Sequence, residues 1–389
     1  MIDSILQIID WVFFIPSAIT ILYMLFYAIA GMKYEAVWNT NRSKKQARFL
    51  IITTACEYDT SVEQTVKSVM AQDYDEENFD MIVVGDNLPT LMNMKLIQYP
   101  ITFMRTKFEN GSKLKALQYA VQNMSPLKIY DIVVLIDPDE TIGTQFLQKI
   151  NRSYQIGYRM MQAHRTDFDR QTSSMIFATT FEEINNSIFR IGHNNMGFSS
   201  ALIGSGFCAD FNWFRENIFK LSSQYEEKEM EILLLQQRMY VDFVGDAFIY
   251  VDHIQSTRDF NSQRRRWIVA QAKSLRHNIK HFIPALFRGN YDLADKIFQW
   301  MLVPRILLVS IITIMSLVSP LFSWAAAVKW WMSALVFLLA CAFATPDYLV
   351  DDSWVKAYRQ VPFLLLDCLS IPFRAPVYLF RSIFQKKKA

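Results

Sequence analysis

The sequence predicts an α/β domain with a mostly parallel sheet, set between apolar helices that could enter a bilayer. Three observations lead there. Short β-branched apolar runs alternate with helix-spaced segments between residue 49 and about residue 260. A charge-free stretch, Val12 to Ala30, precedes them. A strongly apolar C-terminal third follows a run of three arginines.

Val12 to Ala30 carries no charged residue. At ~1.5 Å per residue it can just cross a hydrocarbon core of ~30 Å. A signal peptide is the competing reading. Asp3 and Asp10 ahead of the stretch, and the lack of a small-x-small cleavage site, argue against it. Basic residues follow instead: Lys33, Arg42, Lys44, Lys45 and Arg48. The positive-inside rule then puts the N-terminus outside and the next segment in the cytoplasm.

Phe49 to Thr54 reads as a buried parallel strand. Ser61 to Gln72 has helical spacing of Val62, Val66, Val69 and Met70. Met81 to Val84 is a second strand ending at Gly85-Asp86-Asn87, and Ile101 to Met104 a third. Leu114 to Gln122 is helical. Ile132 to Ile136 is a fourth strand, ending at Asp137-Pro138-Asp139-Glu140. Ligands of such sheets bind beyond the carboxyl ends of the strands. Asp86 and Asp137, each just after a strand, are therefore expected to line one crevice.

From Gln263 a helix runs to about His281, its stripe of Ile268, Ala272, Leu275 and Ile279 set among basic residues. That pattern suits a membrane surface. Ile306 to Val328 is charge-free, and apolar character resumes after Lys329 as far as Phe343. Ser319-Pro320 and Ser323 mark a turn between two spans, with Arg305 on the entry side. Val361 to Phe380 holds Asp367, Arg374 and three prolines, and reads as interfacial or re-entrant rather than spanning. Lys386 to Lys388 supports a cytoplasmic C-terminus.

The composition agrees. Of 389 residues 52% are hydrophobic, with 30 Phe, 17 Tyr and 9 Trp, which is rich for a soluble protein. The net charge of +3 is too small to argue for nucleic acid. Cys56, Cys208, Cys341 and Cys368 lie far apart without metal-ligand spacing, so neither structural zinc nor a disulfide framework is expected.

The acidic pair Asp137 and Asp139, separated by a proline at a strand end, can present oxygens to a hard divalent cation, Mg²⁺ or Mn²⁺. A surface turn is the plain alternative. Asp86 can accept a hydrogen bond from a base or a ribose hydroxyl, or simply cap a turn. Lys113, opening a helix, can reach phosphate or stay solvated. Gly204-Ser205-Gly206 allows close approach of an acceptor, or makes an ordinary turn. Glu226 to Glu231 can be a solvated helix start or supply a general base. Gln263-Arg264-Arg265-Arg266-Trp267 combines forked phosphate donors with an indole on which a sugar ring can stack; a basic membrane stop is the alternative.

Taken in order, strand–Asp86, Ser112-Lys113-x-x-Ala116-Leu117, Asp137-x-Asp139, Gly204-Ser205-Gly206, an acidic helix start and Gln263-x-x-Arg266-Trp267 before membrane helices resemble the membrane-bound inverting glycosyltransferases of family 2. That group contains cellulose, chitin and hyaluronan synthases. The resemblance covers roughly residues 49 to 282, and Q-x-x-R-W is its most specific motif. It implies a GT-A fold over 33–262 as a cytoplasmic domain. Around it lie an N-terminal transmembrane helix (1–32), the Q-x-x-R-W segment with interfacial helices (263–300), two transmembrane helices (301–345) and an interfacial segment with a basic tail (346–389). It also implies a UDP-sugar donor, a divalent metal at Asp137 and Asp139, and a membrane location, expected to be a bacterial inner membrane. By this resemblance Asp86 contacts the uridine, and Lys113, Asp137 and Arg266 face the diphosphate. Gln263 and Trp267 lie near the acceptor sugar, as do Gly204, Ser205 and Gly206.

Two departures stand out. The family's base is an aspartate in a Thr-Glu-Asp or Glu-Asp motif; the matching pair here is Glu226-Glu227, which makes Glu227 the candidate base, with Glu226 or Glu229 as substitutes if the register differs. Near the first strand the family often has Pro-x-Tyr-x-Glu, where this chain reads Thr54-Ala55-Cys56-Glu57-Tyr58-Asp59, an altered donor loop. Elongation of a polysaccharide is the expected activity. The alternatives are transfer to a polyprenyl phosphate or other lipid acceptor, and a non-catalytic scaffold of a synthase complex. Membrane lipids and further copies of the chain are the other expected partners.

Overall fold

The computed structural model describes residues 2–34, 45–56, 59, 61–109, 111–167, 173–222, 225–251 and 257–350. Glu57 and Tyr58 of the donor loop, the 361–380 segment and the lysine tail lie outside them. The chain divides into two compact units. One comprises residues 34–168 and 199–253; the other gathers the N-terminal helix, residues 173–198 and the helices from residue 257 onward.

The first unit is an eight-stranded mixed sheet. Its strands are β1 (Phe49–Cys56), β2 (Phe79–Asp86), β3 (Thr102–Thr106), β4 (Ile132–Ile136), β5 (Glu140–Ile142), β6 (Met160–Thr166), β7 (Phe207–Asp210) and β8 (Val241–Val251), in the order β3-β2-β1-β4-β7-β6-β8-β5. The parallel half, β3-β2-β1-β4, is the part that the apolar runs predict, in register Ile82↔Thr102, Phe49↔Phe79 and Phe49↔Ile132. β7 then enters antiparallel to β4 and β6, and β5 antiparallel to β8, while β6 and β8 run parallel to each other.

Side chains alternate across the parallel strands and feed two cores. Phe49, Ile51, Val134 and Ile136 point to one face, where they meet Val62 and Val66 of the helix Val62–Met70 and Phe146 and Ile150 of Phe146–Gln155. Leu50, Ile52, Val133 and Leu135 point to the other, against Leu114 and Leu117 of Lys113–Asn123, Phe214 of Phe211–Asn217 and Leu234 of Glu226–Gln236. A strand covered on both sides has no polar face, which is why these segments are continuous apolar runs.

The second unit is helical. Ile2–Ala30 packs with Arg305–Val318 and Trp324–Ala344 around Ile21, Met24, Leu308, Ile312 and the fully buried Trp330. Leu6–Ala30 and Trp324–Ala344, of 25 and 21 residues, are long and apolar enough to cross a membrane. The 14 residues of Arg305–Val318 are too few alone; that helix, continued to Leu321, reaches the required length only with Tyr291–Met301, from which it is bent by 46°. The turn expected at Ser319-Pro320 is present as a short helical turn, Ser319–Leu321, and Ser323 caps the next helix by accepting from the Ala326 N–H at 3.3 Å. Asp10 pairs with Lys329 and accepts from the Trp330 indole N–H at 2.7 Å. The acid expected as an outside flank is thus a buried link between two apolar helices. No disulfide joins the described cysteines Cys56, Cys208 and Cys341.

Candidate active site

The carboxyl ends of β2 and β4 do bring strand-end acids to one edge of the sheet. Asp137 follows β4 directly. The helix Val62–Met70 fixes the turn after it, with Thr65 Oγ1 donating to Pro138 O at 2.9 Å and Ser68 Oγ accepting from the Ile142 N–H at 3.2 Å. Lys113 is the first residue of a helix capped by Ser112, whose Oγ accepts from the Lys115 N–H at 3.2 Å. That cap turns the Lys113 side chain back to the strand end, where Nζ pairs with Asp137 Oδ1.

β7 is what brings in the loop before it. The Gly206 N–H donates to Leu135 O at 2.7 Å, so residues 204–206 arrive at the end of β4. Ser205 Oγ accepts from the Asp137 N–H at 3.1 Å and donates to Glu140 Oε2. Gly204 adopts φ +100°, and a Cβ there would lie 2.2 Å from Glu227 Oε1 and 2.5 Å from its Cδ. The loop therefore needs glycine on two counts, its left-handed backbone and the carboxylate pressed against it.

Among the three candidate acids, Glu229 accepts from the Ser222 N–H at 2.9 Å and is occupied in holding its own helix start. Glu227 instead lies over Gly204 and within electrostatic reach of Lys113 and Asp137. Burial raises its carboxyl to about 7, offset in part by Lys113 and reinforced by Asp137. Burial likewise raises Glu226. Burial alone would also raise Asp137, but the ammonium of Lys113 and, next, Arg165 hold it below the usual value. Burial alone would lower Lys113; the charges of Asp137 and Glu227 outweigh it and keep the ammonium above its ordinary range.

Asp137, Asp139 and Glu140 offer oxygens within 4.8 Å of one another. They are not equivalent. Glu140 is fully buried, with one oxygen on Arg165 Nε at 2.6 Å and the other on Ser205, so it is already neutralised. Asp139 is exposed at the rim, yet loss of part of its solvent shell to the neighbouring protein, followed by the charge of Asp137, raises its carboxyl. Lys113 offsets the charge of Asp137, and the repulsion still felt by Asp139 is what a divalent cation relieves, so the pair Asp137–Asp139 fits a hard metal.

Asp86, the last residue of β2, accepts from the Phe108 N–H at 2.9 Å through Oδ1. Its Oδ2 lies 2.1 Å from where a Cβ on Gly111 would sit. It thus orders the loop that leads to Lys113, a backbone-holding role akin to the turn cap offered as its plain alternative, but across to a distant segment. Gln263, Arg264, Arg265 and Arg266 fall on the helix Thr257–Asn278, but their side chains lie outside the described residues; Trp267 on the same helix is 38% exposed. Three contributors were missed in the sequence. Glu140 adjoins the acidic pair and could have been flagged by that adjacency. Arg165 and Gln162 carry no motif. Gln162, fully buried on β6, accepts from the Ile203 N–H at 3.0 Å and donates to Ser205 O at 2.8 Å, clamping the 203–206 loop.

A mixed sheet of this topology, with acids at the ends of its parallel strands, is the arrangement of the GT-A fold. Comparison with known proteins agrees. The family described as glycosyl transferase family group 2 matches residues 132–345, more than half of the chain, and the protein belongs to that family. The match starts at β4 and runs through the apolar helices. Among solved structures, the fold is similar to the mannosyltransferase PcManGT from Pyrobaculum calidifontis in complex with GDP-Man and Mn²⁺, at 11% identity and TM-score 0.57, covering 98% of this chain and 100% of that one. TarS 1–349 from S. aureus aligns at 13% identity and TM-score 0.38, covering 80% of this chain and 91% of that one. Glucosyl-3-phosphoglycerate synthase from Mycobacterium tuberculosis, in complex with Mn²⁺, UDP and glucosyl-3-phosphoglycerate, aligns at 13% identity and TM-score 0.39, covering 62% and 86%. No curated protein sequence matches the chain.

Proposed function

We propose that this glycosyltransferase catalyses a single-displacement, inverting transfer from a UDP-sugar to a growing polysaccharide at the inner face of a membrane. In this it would be of the cellulose, chitin and hyaluronan synthase type. Glu227 takes the proton from an acceptor hydroxyl; that oxygen bonds to the anomeric carbon, and the diphosphate leaves with the electron pair of the broken C–O bond. The observation that carries this reading is the Glu227 carboxyl itself, pressed against Gly204 and raised to about 7 by burial beside Lys113 and Asp137. A base works best when its pKa is near the operating pH.

Asp137 and Asp139 would hold Mg²⁺ or Mn²⁺, and the cation would neutralise charge on the departing diphosphate. Lys113 and Arg266 face that diphosphate, Asp86 orders the loop that leads to Lys113 and contacts the uridine, and Gln263 and Trp267 meet the acceptor. The 33–262 segment is the cytoplasmic catalytic domain. Leu6–Ala30, Trp324–Ala344 and the bent pair anchor it in the membrane.

The test is release of nucleoside diphosphate from a panel of UDP- and GDP-sugars, with and without Mn²⁺, followed by sizing of the product. A high-molecular-weight product is expected. The few membrane helices among the described residues favour a second reading, transfer to a lipid acceptor, because so few enclose a polymer channel poorly; an organic-extractable product would establish it. No turnover of any sugar would end both readings.

A further inference from the structure

The helical unit contains a cavity of about 100 Å³ bordered by Arg305, Phe181, Phe189, Trp267, Gln271 and Gln299. Arg305 is the unusual member. Its guanidinium carbon sits 4.6 Å from the centre of the Phe181 ring and 4.9 Å from that of Phe189. Nη1 is shielded from solvent and has no hydrogen-bond partner among the described residues. Glu182 is near enough to interact with it electrostatically, but its oxygen is paired with Arg190 at 3.4 Å. Aromatic faces attract a guanidinium, yet they do not replace a counter-anion where water is scarce.

Three further features point to the ligand. Arg305 is the first residue of Arg305–Val318, where a cation opposes the helix dipole and no side chain caps the amides. An anion there would meet both the amides and the guanidinium fork. The chain breaks its helical course at Leu302, Val303 and Pro304, which border the cavity. Inside a bilayer, non-helical backbone persists only where protein or a cavity covers it. Finally, a second cavity, of about 400 Å³, shares Ile268, Gln271 and Pro304 with the first and is otherwise bordered by apolar side chains such as Val12, Phe13, Leu307 and Ile311. Its volume lies within the ~300–1,000 Å³ usual for small-ligand sites. Gln271 marks the junction, donating to Trp300 O at 3.1 Å.

We infer that this unit binds one anionic phospholipid, its phosphate on Arg305 and an acyl chain along Val12, Phe13, Leu307 and Ile311. A cationic pocket opening into an apolar groove matches an amphiphile with one charged end. This rests on the reading that the unit resides in a bilayer; of the residues assigned to the transfer, Trp267 alone borders the cavity.

The test uses the full chain, purified in neutral detergent, stripped of lipid and exchanged into nanodiscs of mixed phosphatidylglycerol and phosphatidylcholine, with the retained lipid counted by native mass spectrometry. The expected result is one tightly retained phosphatidylglycerol, preferred about tenfold over phosphatidylcholine. Arg305→Gln should abolish the preference. Leu307→Trp, which fills the groove and leaves the arginine, should lose the lipid while inorganic phosphate still protects the unit against heat. Equal retention of the two lipids by the parent chain, or an unchanged preference in both variants, would overturn the inference. So would displacement of the bound lipid by inorganic phosphate alone, which would make this a free-anion site. Flotation with phosphatidylcholine vesicles reports separately on bilayer residence, and donor hydrolysis on the transferase reading.

Discussion

Glu227 is half-buried beside both a cation and an anion, and the balance of their fields decides when it can accept a proton. With its carboxyl at about 7, kcat/KM should climb with pH through neutrality and level off above it. Glu227→Gln should remove that rising limb and lower the rate about 10²–10⁴-fold, read from initial rates across pH. The stability effect has the opposite sense. A carboxyl raised on folding binds a proton more tightly in the folded chain, so its contribution falls as pH rises from the ordinary carboxyl value to about 7. Above neutrality Glu227→Gln should therefore melt at a higher temperature than the parent, which calorimetry checks. Gly204→Ala tests position rather than charge. The added Cβ lands on the carboxylate at a backbone angle that side chains avoid, and a shift of ~1 Å can cost about 10²-fold in rate. Donor KM should change much less than kcat. On the arginine run, Arg266→Ala should lower turnover far more than Arg264→Ala, since only Arg266 is assigned to the diphosphate.

The elements show why the site has this composition. β4 delivers Asp137, and the antiparallel β7 delivers the 203–206 loop to the same strand end; Gln162 on β6 then locks that loop. Gln162→Leu leaves the Ile203 N–H and the Ser205 carbonyl buried without partners. Each such loss costs ~1–3 kcal/mol, so chemical unfolding of the variant should show a loss of about 2–6 kcal/mol. Activity should fall even below the melting temperature, because Gly204 and Ser205 move with the loop. β1 to β4 were legible because strands buried on both faces are apolar throughout. β6 and β8 were not. β6 reads Met160-Met161-Gln162-Ala163-His164-Arg165-Thr166, with Met160, Met161 and Ala163 in the cores and the polar Gln162 and Arg165 turned to the site. β8 alternates across Val241–Val251, with a register shift opposite Ala163/His164.

Across the whole molecule, apolar patterning marked the N-terminal helix and Trp324–Ala344 as spans, and both are long enough. It also suggested a complete helix between them, whereas Arg305–Val318 is short and depends on a bent partner. Asp10 and Lys329 tie the first and last of these helices together from 319 residues apart. Removing one partner of a buried pair strands the other charge, at a cost of about 3–5 kcal/mol. Asp10→Leu should thus lower the melting temperature in detergent, and Asp10→Leu with Lys329→Leu should recover most of it. By itself the sequence determined the parallel half of the sheet, the strand-end acids Asp86 and Asp137, the acidic helix start and the apolar helices, because each is a local pattern of hydrophobicity or charge. Only the tertiary structure decided that Glu227 lies against Gly204, that Lys113 answers Asp137, that Arg165 neutralises Glu140, and that Arg305 is held between Phe181 and Phe189. These relations join residues that are distant along the chain, and burial together, not sequence spacing, gives them their charge states.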